Sequence, residues 1–211
     1  MNQVDIQKLK NMVDVSDDTI AKLSIYLEML EKWNSKINLV GKSTMATAWE
    51  RHFIDSAQLW HLQQGFSCWV DVGSGAGFPG LVLAIVAAEN NPRAIFHLVE
   101  SDGRKCSFLR SVSRETNLSV KIHNCRIEDF PISNADIMSA RALASVDKLL
   151  EYGEKILSPS GKLLLLKGKT CNIEISEAEK RWDFKKELFQ SRTQQDGQII
   201  RIADIKQVAI N

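Results

Sequence analysis

Between residues 66 and 100 the chain reads FSCWVDVGSGAGFPGLVLAIVAAENNPRAIFHLVE. An apolar run rich in β-branched and aromatic residues ends in Asp71, and the turn Gly73-Ser74-Gly75-Ala76-Gly77 follows at once. Pro79 stands where a helix would begin, 81–88 is apolar and helical in character, and a second strand over 94–99 ends in Glu100. A strand, a glycine turn, a helix and a strand closed by an acid form the nucleotide-binding half of a Rossmann-like fold. Such a unit holds an adenosine-bearing cofactor. Glycine gives the turn its positive φ values and lets a ligand approach the backbone. The helix N-terminus offers free N–H groups. Glu100 lies where two ribose hydroxyls need acceptors.

Spacing leaves the cofactor open. Gly73-x-Gly75-x-Gly77 suits S-adenosylmethionine, whereas Gly75-x-Gly77-x-x-Gly80, with Glu100 20 residues further on, also fits the dinucleotide fingerprint. Asp71 favours the first reading. An acid just before the loop suits the cationic amino-acid end of S-adenosylmethionine and would repel a pyrophosphate.

A chain of 211 residues has room for one large domain or a domain with a small extension, and 44% hydrophobic residues suffice for a full core. Its apolar runs are too short to span a membrane, and the first residues lack a signal-peptide core, so a cytoplasmic protein is expected. Cys68, Cys106, Cys125 and Cys171 are far apart and read as reduced thiols, not as a metal site. A net charge of +1 makes no global case for nucleic acid. Basic residues do cluster at Lys32, Lys36, Lys42 and Arg51, and again at Arg104, Lys105, Arg110 and Arg114.

Helical spacing marks 19–33, with Ile20, Leu23, Leu27 and Leu30 on one face and Asp17, Asp18 or Thr19 as cap. A second helix is expected over 44–62, its stripe carrying Trp49, Phe53, Ala57 and Trp60. These form an N-terminal helical extension, residues 1–63, before a Rossmann-like domain, 64–211. Beyond Glu100 the alternation continues: helix 103–115, strand 119–122, polar turn 124–130, strand 135–139 and helix 145–157. A turn at Ser158-Pro159-Ser160-Gly161 precedes strand 162–167, whose leucine run implies burial on both faces. Helix 173–181 and a hairpin, 184–190 with 198–208 around Asp196-Gly197, close the chain. The pattern is α/β with a mainly parallel sheet and helices on both faces.

The chain resembles the small-subunit ribosomal RNA methyltransferase G family, also called glucose-inhibited division protein B. The resemblance spans nearly the whole length. It rests on Lys32-Trp33-Asn34, Asn38-Leu39, Arg51-His52 with Asp55-Ser56, and the loop from Asp71 to Gly80. Glu100-Ser101, Arg104-Lys105, Phe108-Leu109-Arg110, Arg126 to Phe130, Ala140-Arg141-Ala142 and Leu166-Lys167-Gly168 continue it in order. The resemblance implies a Rossmann-like class I methyltransferase with a seven-stranded sheet. It implies methyl transfer from S-adenosylmethionine, leaving S-adenosylhomocysteine, to N7 of a guanine in the 530 loop of 16S rRNA, free or within the 30S subunit. The family's cofactor contacts fall on Gly73, Phe78, Ile127, Glu128 and Arg141, to which the loop reading adds Gly75, Gly77 and Glu100. The family often has Ser-Arg-Ala at the fourth strand's end. Here Ala140 precedes Arg141 and Ser139 lies one place earlier.

No catalytic side chain is expected, since guanine N7 carries a lone pair and no proton. His52 reads as a hydrogen-bonded, partly buried residue orienting the N-terminal helices. Arg51 and Asp55 read either as a weak ion pair on one helix face or as part of an RNA or inter-domain contact. Trp33, Trp49 and Trp60 read as core. Lys36, Arg51, Arg104 and Arg110 are the candidate RNA surface, and Lys167 a candidate substrate-phosphate contact. A monomer is expected. Two other classes stay open: a NAD-dependent oxidoreductase, which lacks an evident acid or base at a hydride site, and a non-catalytic nucleotide-binding module.

Overall fold

In the computed structural model, which describes residues 3–63 and 65–208, a short helix α1 (Gln3–Lys10) leads into α2 (Asp17–Asn34). Ser16 caps α2, its Oγ accepting from Thr19 N at 3.3 Å, one place before the expected caps. Asp17 and Asp18 instead occupy the first turn, where negative charge favours the helix dipole. Gln64, at the expected start of the main domain, lies outside the described residues.

The single helix expected over 44–62 is broken. In its place stand α3 (Lys42–Met45), a π-helical stretch (Trp49–Ile54), α4 (Asp55–Ala57) and a 3-10 turn (Trp60–Leu62). Every residue from 52 to 59 is buried. A segment enclosed on all sides has no solvent stripe to keep in register with a 3.6-residue period, and tertiary packing overrides the regular helix.

Next come β1 (Cys68–Val72), α5 (Gly80–Asn90), β2 (Ile95–Glu100), α6 (Gly103–Glu115), β3 (Lys121–Asn124), a 3-10 turn (Ile127–Asp129) and β4 (Ala135–Arg141). The chain ends with α7 (Val146–Ile156), β5 (Leu157–Lys167), α8 (Cys171–Ala178), β6 (Trp182–Gln190) and β7 (Gln198–Gln207). The sheet order is β3-β2-β1-β4-β5-β7-β6, parallel from β3 to β5, with an antiparallel hairpin at the far edge. The expected turn at 158–161 is a bulge inside β5. Ala135 pairs with Leu157 and Ile137 with Lys162, so the intervening residues have no partner on β4.

Two apolar layers flank the sheet. Leu164 and Leu166 of β5 face a core shared with α2, α5 and α6, and Leu163 and Leu165 face α7 and α8. The N-terminal helices belong to the first layer, as Tyr26, Phe53 and Leu30 pack in one cluster with Trp69, Phe78 and Phe108. Strand order reverses between β1 and β4, which opens the crevice at the carboxyl ends of the strands.

Candidate cofactor and substrate site

The glycine loop is held from below. Ser74 N donates to Val99 O at 3.0 Å, and Ser74 Oγ to Asp71 O at 3.0 Å. Glu100 organises the loop through both carboxylate oxygens: Gly75 N donates to Oε2 at 2.9 Å and Asp102 N to Oε1 at 2.7 Å. An ionised carboxylate has about four lone-pair sites, so two remain for a ligand. Gly75, at φ +57°, has open space where a Cβ would stand, its nearest neighbour there being Gly73 O at 3.8 Å. Gly77, at φ +97°, is glycine for another reason, because a Cβ there would come within 2.5 Å of the Tyr26 hydroxyl.

Gly73, Gly75, Glu100, Ile127, Glu128 and Arg141 line one cavity of ≈ 370 Å³. Lys105, Arg126, Ala142 to Ala144 and Tyr152 are also on its wall. Tyr152 carried no signal in the sequence beyond its place in an apolar helix. Its hydroxyl donates to Glu128 Oε1, and this bond holds the Glu128 carboxyl below the usual range. Gly77 and Phe78 do not line the cavity. Phe78 is buried, stacked on Tyr26 (5.3 Å) and His52 (5.0 Å), with the Arg141 guanidinium 4.9 Å from its ring centre. Phe78 therefore lies behind Arg141 and away from the cavity wall, where the resemblance places it as a cofactor contact. The glycine cradle and the Glu100 carboxylate on its rim fit an adenosine-bearing cofactor. Among the described residues no three His, Cys, Asp or Glu side chains gather to hold a metal.

Asp71 departs from expectation. It does not reach the cavity but is fully buried, with Oδ1 accepting from Ser139 Oγ at 2.6 Å while Ser139 receives Trp69 Nε1 at 2.8 Å. The Ser139 hydroxyl, one place from the family's usual serine, is spent on this network. Oδ2 has no hydrogen-bond partner and lies against the start of α5, where a Cβ on Gly80 would be 2.7 Å from it. Burial pushes the carboxyl up to about 6, against the pull of its hydrogen bonds and Arg141.

Arg141 ends β4 and separates the first cavity from a second of ≈ 410 Å³; Arg141 and Ala142 line both. Its Nη1 donates to Arg51 O (3.2 Å) and His52 Nδ1 (3.1 Å) and lies 3.6 Å from Asp55 Oδ2. Burial presses its pKa below the ordinary guanidinium value, opposed by Asp55. Since arginine can only donate, His52 Nδ1 is the acceptor, and Nε2–H faces Thr44 Oγ1 at 3.0 Å. Burial, then the charges of Arg141 and Arg51, lower His52 to about 4, so it is a neutral spacer at pH 7. Asp55 faces Arg141 in place of the expected Arg51. Its Oδ1 accepts from Gln58, Thr193 and Gln194, joining the N-terminal helices to the 191–197 loop. Asn34 Oδ1 accepts from Leu39 N and Val40 N, which shapes the loop forming another wall of the second cavity.

The family model for rRNA small subunit methyltransferase G (GidB) matches residues 19–200. The chain belongs to this family. A family member from Ruegeria sp. (strain TM1040) is 41% identical over 196 residues, 93% of this chain and 96% of that protein. One from Rhodospirillum centenum is 45% identical over 192 residues, 90% and 87% of the two chains. Among solved structures, M. jannaschii TYW2 in complex with AdoMet has a TM-score of 0.57 at 13% identity, covering 82% of this chain and 80% of that one. The T. thermophilus 16S rRNA N2 G1207 methyltransferase (RsmC), in complex with AdoMet and guanosine, gives 0.54 at 14%, covering 74% and 40%. These two support the class I methyltransferase fold. The protein is an S-adenosylmethionine-dependent ribosomal RNA methyltransferase, and the dinucleotide reading falls away.

The candidate RNA residues are dispersed. Lys36, Arg104 and Arg110 are exposed and Arg51 is half-buried on the second cavity. Arg104 pairs with Asp102 at 3.0 Å. Lys167 is turned inward: its side chain is 7% exposed, and Nζ donates to Ala144 O and to Glu174 Oε2 at 2.7 Å. Glu174 in turn accepts from Val146 N at 3.1 Å, capping α7. Lys167 lines the second cavity, and two of its three ammonium donors hold Ala144 and Glu174, which secures α7 behind the cavity wall. Trp33, Trp49 and Trp60 pack edge-on or stacked against Phe108, Phe53 and Phe66, as core residues.

Proposed function

We propose that this protein methylates N7 of a guanine in the 530 loop of 16S rRNA, acting as a monomer on the RNA of the 30S subunit in the cytoplasm. The observation that carries this reading is the pair of cavities sharing Arg141 and Ala142, one with a cofactor cradle and the other open beside it. Family membership supports the RNA substrate. S-adenosylmethionine, when bound, supplies a methyl group on a sulfonium and so needs no further activation.

Glu100 accepts from the ribose hydroxyls with its two remaining lone-pair sites. Gly75 admits the ligand to the backbone, Gly73 lies under the Leu143 side chain on the same wall, and Ile127 and Glu128 flank the ligand from the 3-10 turn. Arg141, fixed by His52, Asp55 and Phe78, divides donor from acceptor. Residues 39–55 of the N-terminal helical extension act as the cap that walls the second cavity. No general base is required for N7, so these residues work by alignment and exclusion of water, which supplies roughly 7–11 kcal/mol of barrier lowering. Lys36, Arg51 and Arg110 steer the RNA backbone toward the crevice.

Purified protein, S-adenosylmethionine and unmethylated 30S subunits or naked 16S rRNA test this. Borohydride reduction and aniline cleavage should mark one guanine in the 530 loop, more strongly with subunits. Methyl label at another position or on another atom would overturn it.

A further inference from the structure

Two acceptors stand unpaired around the second cavity. Asp55 is 1% exposed, and its Oδ2 has the Arg141 guanidinium at 3.6 Å as its charged neighbour but no hydrogen-bond donor. Gln198 Oε1, from the first residue of β7, is likewise buried without a partner. Both residues line the same cavity. Buried polar atoms are paired as a rule, and two unpaired acceptors on one cavity mark a place where donors arrive with a ligand. The terminal torsion of Gln is broad, so Gln198 turns toward an incoming base at little cost, whereas Asp55 is held at Oδ1 by Gln58, Thr193 and Gln194 with Oδ2 left over.

Guanine alone among the four RNA bases presents two adjacent donors on one edge, N1–H and the 2-amino group. Adenine and cytosine offer an acceptor beside their amino groups, and uracil one donor between two acceptors. Holding guanine by this edge leaves N7, on the other ring, free. Leu39, Val40 and Leu166 supply apolar surface for the base. We propose that the second cavity receives the target guanine, and that Asp55 and Gln198 read its N1–H and 2-amino edge. This deepens the N7-guanine reading above and rests on it.

The assignment gives Asp55 a part in the transition state. As the N7 lone pair forms the N–C bond, the S–C bond breaks, its electron pair stays on sulfur, and the positive charge moves to the guanine ring. No proton leaves. The charged ring makes N1–H a stronger donor, so a carboxylate there binds the transition state better than the ground state.

The test uses the full chain and 30S subunits reconstituted with guanosine or inosine at the target, since inosine lacks only the 2-amino group. Parent, Gln198→Leu and Asp55→Asn proteins are compared for kcat/KM and, without cofactor, for RNA affinity. Circular dichroism and S-adenosylhomocysteine titration monitor folding and the first cavity. The parent should lose roughly tenfold or more on inosine, as for a hydrogen bond in a buried site. That penalty should shrink to about twofold or less in at least one variant. Gln198→Leu should keep parental S-adenosylhomocysteine affinity. It leaves the Arg141–Asp55 pair intact, and it decides the matter alone if Asp55→Asn does not fold. A parent that methylates guanine N7 with no inosine penalty, or an undiminished penalty in every folded variant, overturns the assignment while leaving the N7 reading intact. Failure of the parent to methylate N7 overturns both.

Discussion

The Tyr26 hydroxyl donates to the Ala76 carbonyl, so a side chain of α2 is bonded to the backbone of the glycine loop. The Tyr26 ring is fully buried between Phe53, Phe78 and Phe108. Loop and N-terminal helix are thus one packed unit. Tyr26→Phe leaves a buried carbonyl unpaired and should cost about 1–3 kcal/mol in a urea titration. S-adenosylhomocysteine affinity should fall with it. A variant with parental stability and affinity would sever this link.

Glu100 receives two backbone N–H groups, one per oxygen. In Glu100→Gln one of them must face an amide NH2, donor against donor. Calorimetric titration should show S-adenosylhomocysteine weakened by about 1.5–3 kcal/mol, the worth of hydrogen bonds to a charged group. Parental affinity would remove Glu100 from the cofactor site.

Lys167 and Glu174 form an ion pair whose lysine is buried. Lys167→Met leaves the half-buried Glu174 carboxylate with only Val146 N and Thr170 Oγ1 as donors and should destabilise the fold by about 1–2 kcal/mol, the lower end for a hydrogen bond to a charged group. The salt dependence of RNA binding should not change. A flatter log–log slope with parental stability would restore Lys167 as a phosphate contact.

Asp71 and His52 pull stability in opposite directions with pH. The Asp71 carboxyl, raised from 3.8 to about 6 by burial, holds its proton in the folded state over that range. Its contribution is full below the unfolded value and is lost as pH rises through about 6, up to ~3 kcal/mol for a shift of about two units. His52 and His97, lowered by burial from 6.5 to about 4, contribute stability above 6.5 that is lost as pH falls toward 4. Urea titrations from pH 4 to 7 should therefore show Asp71→Asn gaining on the parent as pH rises. A pH-independent difference would show that Asp71 is ionised throughout.

Arg104 and Arg110 project from α6, but Asp102 neutralises the first. Replacing both with Ala should leave cofactor affinity nearly unchanged and reduce methyl transfer. The salt slope of 30S binding should flatten by about one unit, the share of a single phosphate contact. A parental slope and rate would show that these arginines only solvate a helix.

The strand–loop–helix unit was legible because its signals are local. Turn glycines, a terminal acid and a leucine run buried on both faces each announce themselves within a few residues. The resemblance added Ile127, Glu128 and Arg141, which do line the cavity. What escaped was set by partners distant in the chain. Asp71 looks like a ligand contact until Ser139 and Trp69 are seen enclosing it. Lys167 reads as free for a phosphate until Ala144, 23 residues back, is seen taking one of its donors beside Glu174. The broken helix over 44–62 follows from burial on every side, which a stripe of apolar residues does not encode.

Asp55 touches the N-terminal helices, the end of β4 and the loop before β7 at once. A designer who cut the chain ahead of β1 to graft on a different RNA-recognition cap would remove Asp55, His52 and Tyr26 together. Arg141 would lose its guides and the glycine loop its tether. Exchange of caps on this sheet therefore calls for transplanting that contact set as a block, along with the 191–197 loop that reads it from the other side.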